Sequence, residues 1–209
     1  MSRPLLICDC DEVLLHFAAP FRGWLDEHHA IDLRLGAGQN FAQCIFRTAS
    51  EERVPIAELW PLLDDFFTGQ MDRQPAVPGA VNAIARIAEV ADVIILTNLE
   101  DHHQQRRLAQ LAGHGIPHRV VCNQGPKGPR VAALIDELSP RAAVFVDDLP
   151  QHHQSVARCA PHVGRLHMVA EPLLQPCVPA APDADARIDR WDEALPWILN
   201  RLATGDSTD

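Results

Sequence analysis

The chain contains no tyrosine, and of its 18 basic residues only Lys127 is a lysine. Basic side chains form no cluster, and 28 acidic against 18 basic residues give a formal net charge of −10. That balance argues against nucleic acid as a partner. No apolar run approaches the roughly 18 residues that a membrane helix needs, so no membrane partner is expected. The first apolar run, Leu5–Cys8, stops at Asp9 and is too short for the core of a signal peptide. The six cysteines, at 8, 10, 44, 122, 159 and 177, are scattered. Only Cys8 and Cys10 lie close in sequence, and no second pair faces them, so a metal knuckle is disfavoured. The cysteines read as reduced, mostly buried thiols, and a cytoplasmic location is expected.

An apolar content of 47% and a charged content of 22% over 209 residues suit one globular domain, or one carrying a sizeable insertion. Four short apolar runs stand out: Leu5–Cys8, Val93–Leu96, Val120–Cys122 and Ala142–Val146. They lack polar alternation, the pattern of parallel strands covered on both faces. Helical patterns separate the later runs, over Ala80–Val90, Asp101–Leu111, Val131–Leu138 and Pro150–Cys159. The alternation predicts an α/β fold with a doubly wound, Rossmann-like parallel sheet. Towards the end, Arg165–Val169 and Arg187–Ile188 are weaker strand candidates. Between them Glu171–Asp185 holds four prolines and reads as a loop; a helix is expected from Asp192 to Leu202.

Residues 14–77 break the pattern. Phe21–His29 and Ile56–Phe67 read as amphipathic helices, the second bent or restarted at Pro61. About 60 residues is too long for a simple crossover. The expected division is therefore a core of residues 1–13 and 78–203, a small helical cap over 14–77, and a frayed tail at 204–209.

The polar residues gather at the carboxyl ends of these strands: Asp9 and Asp11 after the first, Thr97 and Asn98 after the second, Asp147 and Asp148 after the fourth. Ligands bind at that edge in open α/β sheets. Asp after a strand often only starts a turn, but Asp-x-Asp and Asp-Asp on two strands of one sheet crowd four carboxylates at one crevice. Like charges resist ionising together, and a hard divalent cation such as Mg²⁺ relieves them. The lone Lys127, in Gly125-Pro126-Lys127-Gly128-Pro129 before a helix, stands where a compact ammonium would reach an anionic ligand. The Thr97 hydroxyl and backbone N–H groups around Asn98 would hold phosphate oxygens.

Taken together, Leu-Leu-Ile-Cys-Asp9-Cys-Asp11-Glu-Val-Leu, Val-Ile-Ile-Leu-Thr97-Asn98, Lys127 and Val-Phe-Val-Asp147-Asp148 resemble the haloacid dehalogenase superfamily of hydrolases. In that resemblance residues 14–77 correspond to the family's cap. It implies a Mg²⁺-dependent phosphatase acting on a small phosphorylated metabolite, with Asp9 as nucleophile and Asp11 as general acid and then base. Thr97, Asn98 and Lys127 would bind the phosphoryl group. Asp9, Asp147 and Asp148 would hold the metal together with the backbone carbonyl of Asp11. Asp11 points to phosphoryl transfer rather than to the dehalogenase branch. The alternatives are a phosphotransferase or phosphomutase on the same scaffold, or a non-catalytic binding protein that keeps the pocket. Glu12 is a departure, because phosphatases of this family usually carry glycine there.

Other signals carry less. Three histidine pairs, 28–29, 102–103 and 152–153, read as solvated helix faces, with His152 the one nearest the expected site. Arg22, Arg34, Arg47 and Arg53 read as solubilising charge, or as contacts to an anionic substrate when a cap closes. Trp24, Trp60, Phe66 and Phe67 read as the insertion's own small core.

Overall fold

A computed structural model describes residues 2–34 and 43–204. Six strands form one parallel sheet: β1 (Leu5–Cys8), β4 (Asp92–Thr97), β5 (Arg119–Cys122), β6 (Ala143–Asp147), β7 (Gly164–His167) and β8 (Ala186–Arg187), in the spatial order β5-β4-β1-β6-β7-β8. Strand β1 is central, paired on one side to β4 and on the other to β6. The chain winds outward in both directions from it, so the crevice at its carboxyl end is the switch point of the sheet.

The apolar runs without alternation are explained by burial on both faces. Leu6, Cys8, Val93, Ile95, Val144 and Val146 point to one side, under α3 (Ala80–Ala88) and α7 (Trp191–Thr204). Leu5, Ile7, Ile94, Leu96, Val121 and Phe145 point to the other, under α5 (Gly128–Leu138) and α6 (Pro150–Cys159). Helix α4 (Gln104–Gly113) lies against β5. Each inward residue contributes about 1.5–3 kcal/mol of burial, which is why the expected strands match the observed ones closely.

The sheet is interrupted after β1. The chain leaves at Leu15, which bridges antiparallel to Ala76 on the returning segment; His16 N–H donates to the Pro75 carbonyl at 3.0 Å and Val77 N–H to the Leu14 carbonyl at 2.8 Å. The excursion holds α1 (Ala18–His29), β2 (Ile31–Leu33), β3 (Ile45–Arg47) and α2 (Ile56–Gly69), then a 3-10 turn at Met71–Arg73. Strands β2 and β3 pair antiparallel, so the block is not purely helical as the sequence suggested. They are three residues each, too short for a period to register. Helix α2 runs unbroken through Pro61. A proline in the second turn forfeits a single i→i−4 bond there, which the packing of Leu59 and Phe66 tolerates.

Phe21, Trp24, Leu25, Ile31, Leu33 and Phe66 form the core of this lobe. Trp60 does not join it: the side chain is 62% exposed. Among the described residues, no helix is long and apolar enough to cross a membrane.

Candidate active site

The parallel register sets the site. Cys8 aligns with Ile95 on one side and Val146 on the other, so one step further Asp9 lies between the ends of β4 and β6. Its backbone N–H donates to the Val146 carbonyl at 2.9 Å. Thr97 and Asp147 close the two flanking strands. Residues far apart in sequence thus meet at one crevice.

Lys127 enters from the start of α5. Gly128 makes that approach possible, since a Cβ there would lie 2.2 Å from the Ser155 carbonyl oxygen of α6, and its N–H donates to Ser155 Oγ at 3.0 Å. The Lys127 ammonium is fully buried and bridges two carboxylates, 2.7 Å from Asp9 Oδ1 and 2.7 Å from Asp147 Oδ2. Burial alone would lower its pKa, but Asp147 and Asp9 together raise it and hold it charged.

Carboxylate oxygens of Asp9, Asp147 and Asp148 lie within 4.8 Å of one another. Burial pushes Asp9 up to about 7, Asp147 adding to the rise and Lys127 opposing it. Asp148 is raised well above the usual carboxylate range by burial and by Asp147 and Asp9. Asp147 resists burial because Lys127 sits against it, and is held below that range. Were all three carboxylates ionised against one ammonium, two negative charges would stay uncompensated in a buried place, and the raised Asp9 and Asp148 express that cost. All-oxygen donors and that deficit fit a hard divalent cation.

Two buried histidines anchor this loop. His153 Nε2 faces the Asp147 carbonyl at 3.0 Å, and His167 Nε2 the Asp148 carbonyl at 2.8 Å. Ala181 N–H donates to His167 Nδ1 at 3.1 Å, so the proton of His167 is on Nε2 and is given to Asp148. Burial lowers the pKa of both rings, keeping them neutral. His103, His152 and His153 are buried, which corrects the expectation of solvated faces for those three, while His102 is exposed as expected. No sequence signal marked His167, since a single histidine in a weak strand has no pattern.

Asp11 stands apart from the carboxylate trio. Its two oxygens accept from Arg107 Nη2 at 3.0 Å each, and Oδ1 accepts from Gln74 Nε2 at 2.6 Å. Arg107, on α4, is fully buried, and its other nitrogen, Nη1, reaches Gln74 Oε1, Gln110 Oε1 and Cys10 Sγ. Arg107 carries no signal in the sequence, because an arginine in a polar helix normally points to water. Asp11 is 22% exposed and lines the same cavity as Asp9.

Glu12 adopts a left-handed backbone, φ 61°. Its Oε1 accepts the N–H groups of Phe17 (2.8 Å) and Ala18 (2.5 Å), the start of α1.

A cavity of about 590 Å³ opens above these groups. Its floor includes Asp9, Asp11, Thr97, Asn98, Lys127 and Asp148. Among the described residues the buried Thr97 hydroxyl has no hydrogen-bond partner, and Thr97 lines the cavity. The Asn98 side chain is committed elsewhere, donating to the Gly125 carbonyl at 3.0 Å and accepting from Asn123 at 2.8 Å. Arg22, Arg34, Arg47 and Arg53 are absent from the cavity wall. Arg34 pairs with Asp32 and Glu51, Arg47 with Glu58, and Arg53 lies over the Phe46 ring.

No family model and no curated protein matches the sequence. Solved structures do match in fold. A haloacid dehalogenase-like family hydrolase from Xanthomonas campestris shares 15% identity with a TM-score of 0.59, covering 98% of each chain. The HAD-hydrolase YfnB of Bacillus subtilis, bound to magnesium, shares 14% with a TM-score of 0.65, over 95% of this chain and 99% of its own. A 2-haloacid dehalogenase from Pseudomonas syringae shares 17% with a TM-score of 0.55, over 96% and 99%. The chain has the fold of haloacid dehalogenase-like hydrolases.

Proposed function

We propose that the chain is a phosphoric monoester hydrolase that works through an aspartyl-phosphate on Asp9. The observation that supports this best is the buried ammonium of Lys127 set between Asp9 and Asp147, beside Asp148 and the unpartnered Thr97 hydroxyl, at the floor of one cavity. Such a floor receives an anion only once its own charge is neutralised. Asp9, Asp147 and Asp148 would hold Mg²⁺, with the Asp11 carbonyl as the fourth protein ligand; the Asp11 carboxylate is turned to Arg107. When bound, the cation neutralises charge on the phosphoryl oxygens.

A carboxylate oxygen of Asp9 attacks phosphorus and the bond from phosphorus to the leaving oxygen breaks. Asp11, which must give up one of its two Arg107 contacts to carry a proton, passes that proton to the leaving oxygen. Water then attacks phosphorus, Asp11 takes its proton, and the bond from Asp9 to phosphorus breaks, releasing inorganic phosphate and restoring both carboxyl groups. Two moderate steps replace one difficult one. Lys127 and the Thr97 hydroxyl hold phosphoryl oxygens in line, where positioning and electrostatics supply most of the acceleration. An acid/base carboxyl at Asp11 favours this chemistry over carbon–halogen cleavage, which asks for no proton on the leaving group. Arg107 and Gln74 fix its carboxylate over the cavity.

The test is hydrolysis of acetyl phosphate with Mg²⁺. Asp9→Asn is expected to abolish turnover while leaving the thermal unfolding profile close to that of the parent. On ethyl phosphate, whose leaving oxygen needs a proton, Asp11→Asn should cost about 10²–10⁴ in kcat. Full activity in Asp9→Asn rules out the covalent route.

A further inference from the structure

The walls of the cavity differ from its floor, and the difference selects a substrate. From the excursion, Phe17, Leu59, Trp60, Leu63 and Phe67 line it. Phe17 and Phe67 stack with ring centroids 5.5 Å apart. On the opposite side the proline-rich loop contributes Leu174, Val178 and Pro179. Among the described residues that line the cavity, Lys127 is the only lysine or arginine, and its ammonium is already shared by Asp9 and Asp147. A second anionic group on the substrate would therefore find no cation. A polyhydroxyl group would find polar partners at Gln151 and at the His152 ring, but would lose water without replacement along the apolar residues of the excursion and the loop.

Trp60 adds an independent point. Its indole remains 62% exposed on a helix that buries only Leu59 and Phe66, and it lines the cavity without joining the lobe's own core. A large aromatic surface left wet at the rim gains most from an apolar ligand. We infer that the substrate is a phosphate monoester with an extended apolar leaving group, an alkyl or aryl chain lying between Trp60 and the loop carrying Val178. This inference rests on the hydrolase reading for the position of the phosphoryl group. The wall itself does not depend on that reading.

The experiment compares kcat/KM for ethyl, butyl, hexyl and octyl phosphate, whose leaving oxygens are chemically alike, with glycerol 1-phosphate as a polar counterpart of butyl phosphate. The expected rise is about threefold per added methylene as each is buried. Butyl phosphate should exceed glycerol 1-phosphate by at least about tenfold. In Trp60→Ala the ratio of octyl to ethyl phosphate should fall by about fivefold or more. Val90→Ala, an exposed position away from the cavity, should leave the ratio as it is. Acetyl phosphate hydrolysed in an Asp9-dependent way alongside a flat alkyl series would overturn this inference and leave the hydrolase reading standing. If no phosphate ester is turned over, the hydrolase reading fails, and calorimetry decides the rest. Octylphosphonate binding at least about tenfold tighter than ethylphosphonate keeps the apolar site; equal binding removes it.

Discussion

Removing the Lys127 ammonium would leave Asp9, Asp147 and Asp148 facing one another with no cation within the buried cluster. Breaking a buried pair by deleting one partner costs about 3–5 kcal/mol. Lys127→Met is accordingly expected to lose that much stability in urea unfolding in the presence of a chelator. Millimolar Mg²⁺ should restore part of the loss, and should stabilise the variant more than the parent, because more unbalanced charge is available to neutralise. An equal response in both proteins would mean that the carboxylates do not form the cation site. This residue was legible in the sequence for a compositional reason: a chain that uses arginine everywhere else uses lysine once. Arg107 was not, because nothing in Gln104–Gly113 distinguishes an arginine drawn inward by Asp11 from one left in water. Its burial is decided by a residue 96 positions away.

Glu12 links a single backbone angle to the stability of a helix. Its φ of 61° lies where glycine is favoured, and the family that the motif resembles usually has glycine there. The glutamate tolerates the angle because its carboxylate caps α1 from outside, accepting the N–H groups of Phe17 and Ala18. Glu12→Ala loses the cap and keeps the strained angle, so it should cost about 1–3 kcal/mol. Glu12→Gly loses the cap but relieves the angle, and should be about 1 kcal/mol more stable than the alanine variant. Thermal unfolding of the pair checks the order; the reverse order would mean that the backbone is unstrained. At the scale of elements the sequence was most legible where burial is two-sided. Strands β1, β4, β5 and β6 follow from uninterrupted apolar runs, whereas β7 and β8 carry weaker signals, and α6 begins at Pro150 as its proline indicates. It was least legible in the excursion, where β2 and β3 are three residues each and depend on pairing with one another. Trp60 was misplaced for a related reason: helical spacing marks an apolar face, but not whether that face meets a core or a cavity.

Across the whole molecule, the two lobes meet around Arg107. The guanidinium joins the loop after β1 (Cys10 and Asp11), the segment returning from the excursion (Gln74) and its own helix (Gln110). Gln110 in turn donates to the Met71 carbonyl at 2.5 Å, beside that return. A second contact lies further out, where Asp64 of α2 meets His102 and His103 of the core, with Asp64 Oδ1 2.9 Å from His103 Nε2. Asp11 and Phe67 both line the cavity, and the Phe67 ring lies 5.5 Å from the Arg107 guanidinium carbon, so the network that orients Asp11 also bears on how the excursion covers the site. A double-mutant cycle separates the two roles. Arg107→Met strands the Asp11 carboxylate without its ion pair, and should cost about 3–5 kcal/mol. Asp11→Asn strands a buried guanidinium and should cost a similar amount. Because each single change leaves the same kind of orphan, the double variant should be more stable than the sum of the two by about 1–3 kcal/mol. Gln74→Ala removes one hydrogen bond to Asp11 and one to Arg107 without stranding either charge. It should therefore speed amide exchange in α1 and α2 while leaving exchange in β1, β4 and β6 close to the parent's. Exchange that rises equally in the sheet and the excursion would mean that the lobes unfold as one unit, and the Arg107 network would then be a core anchor and not a hinge.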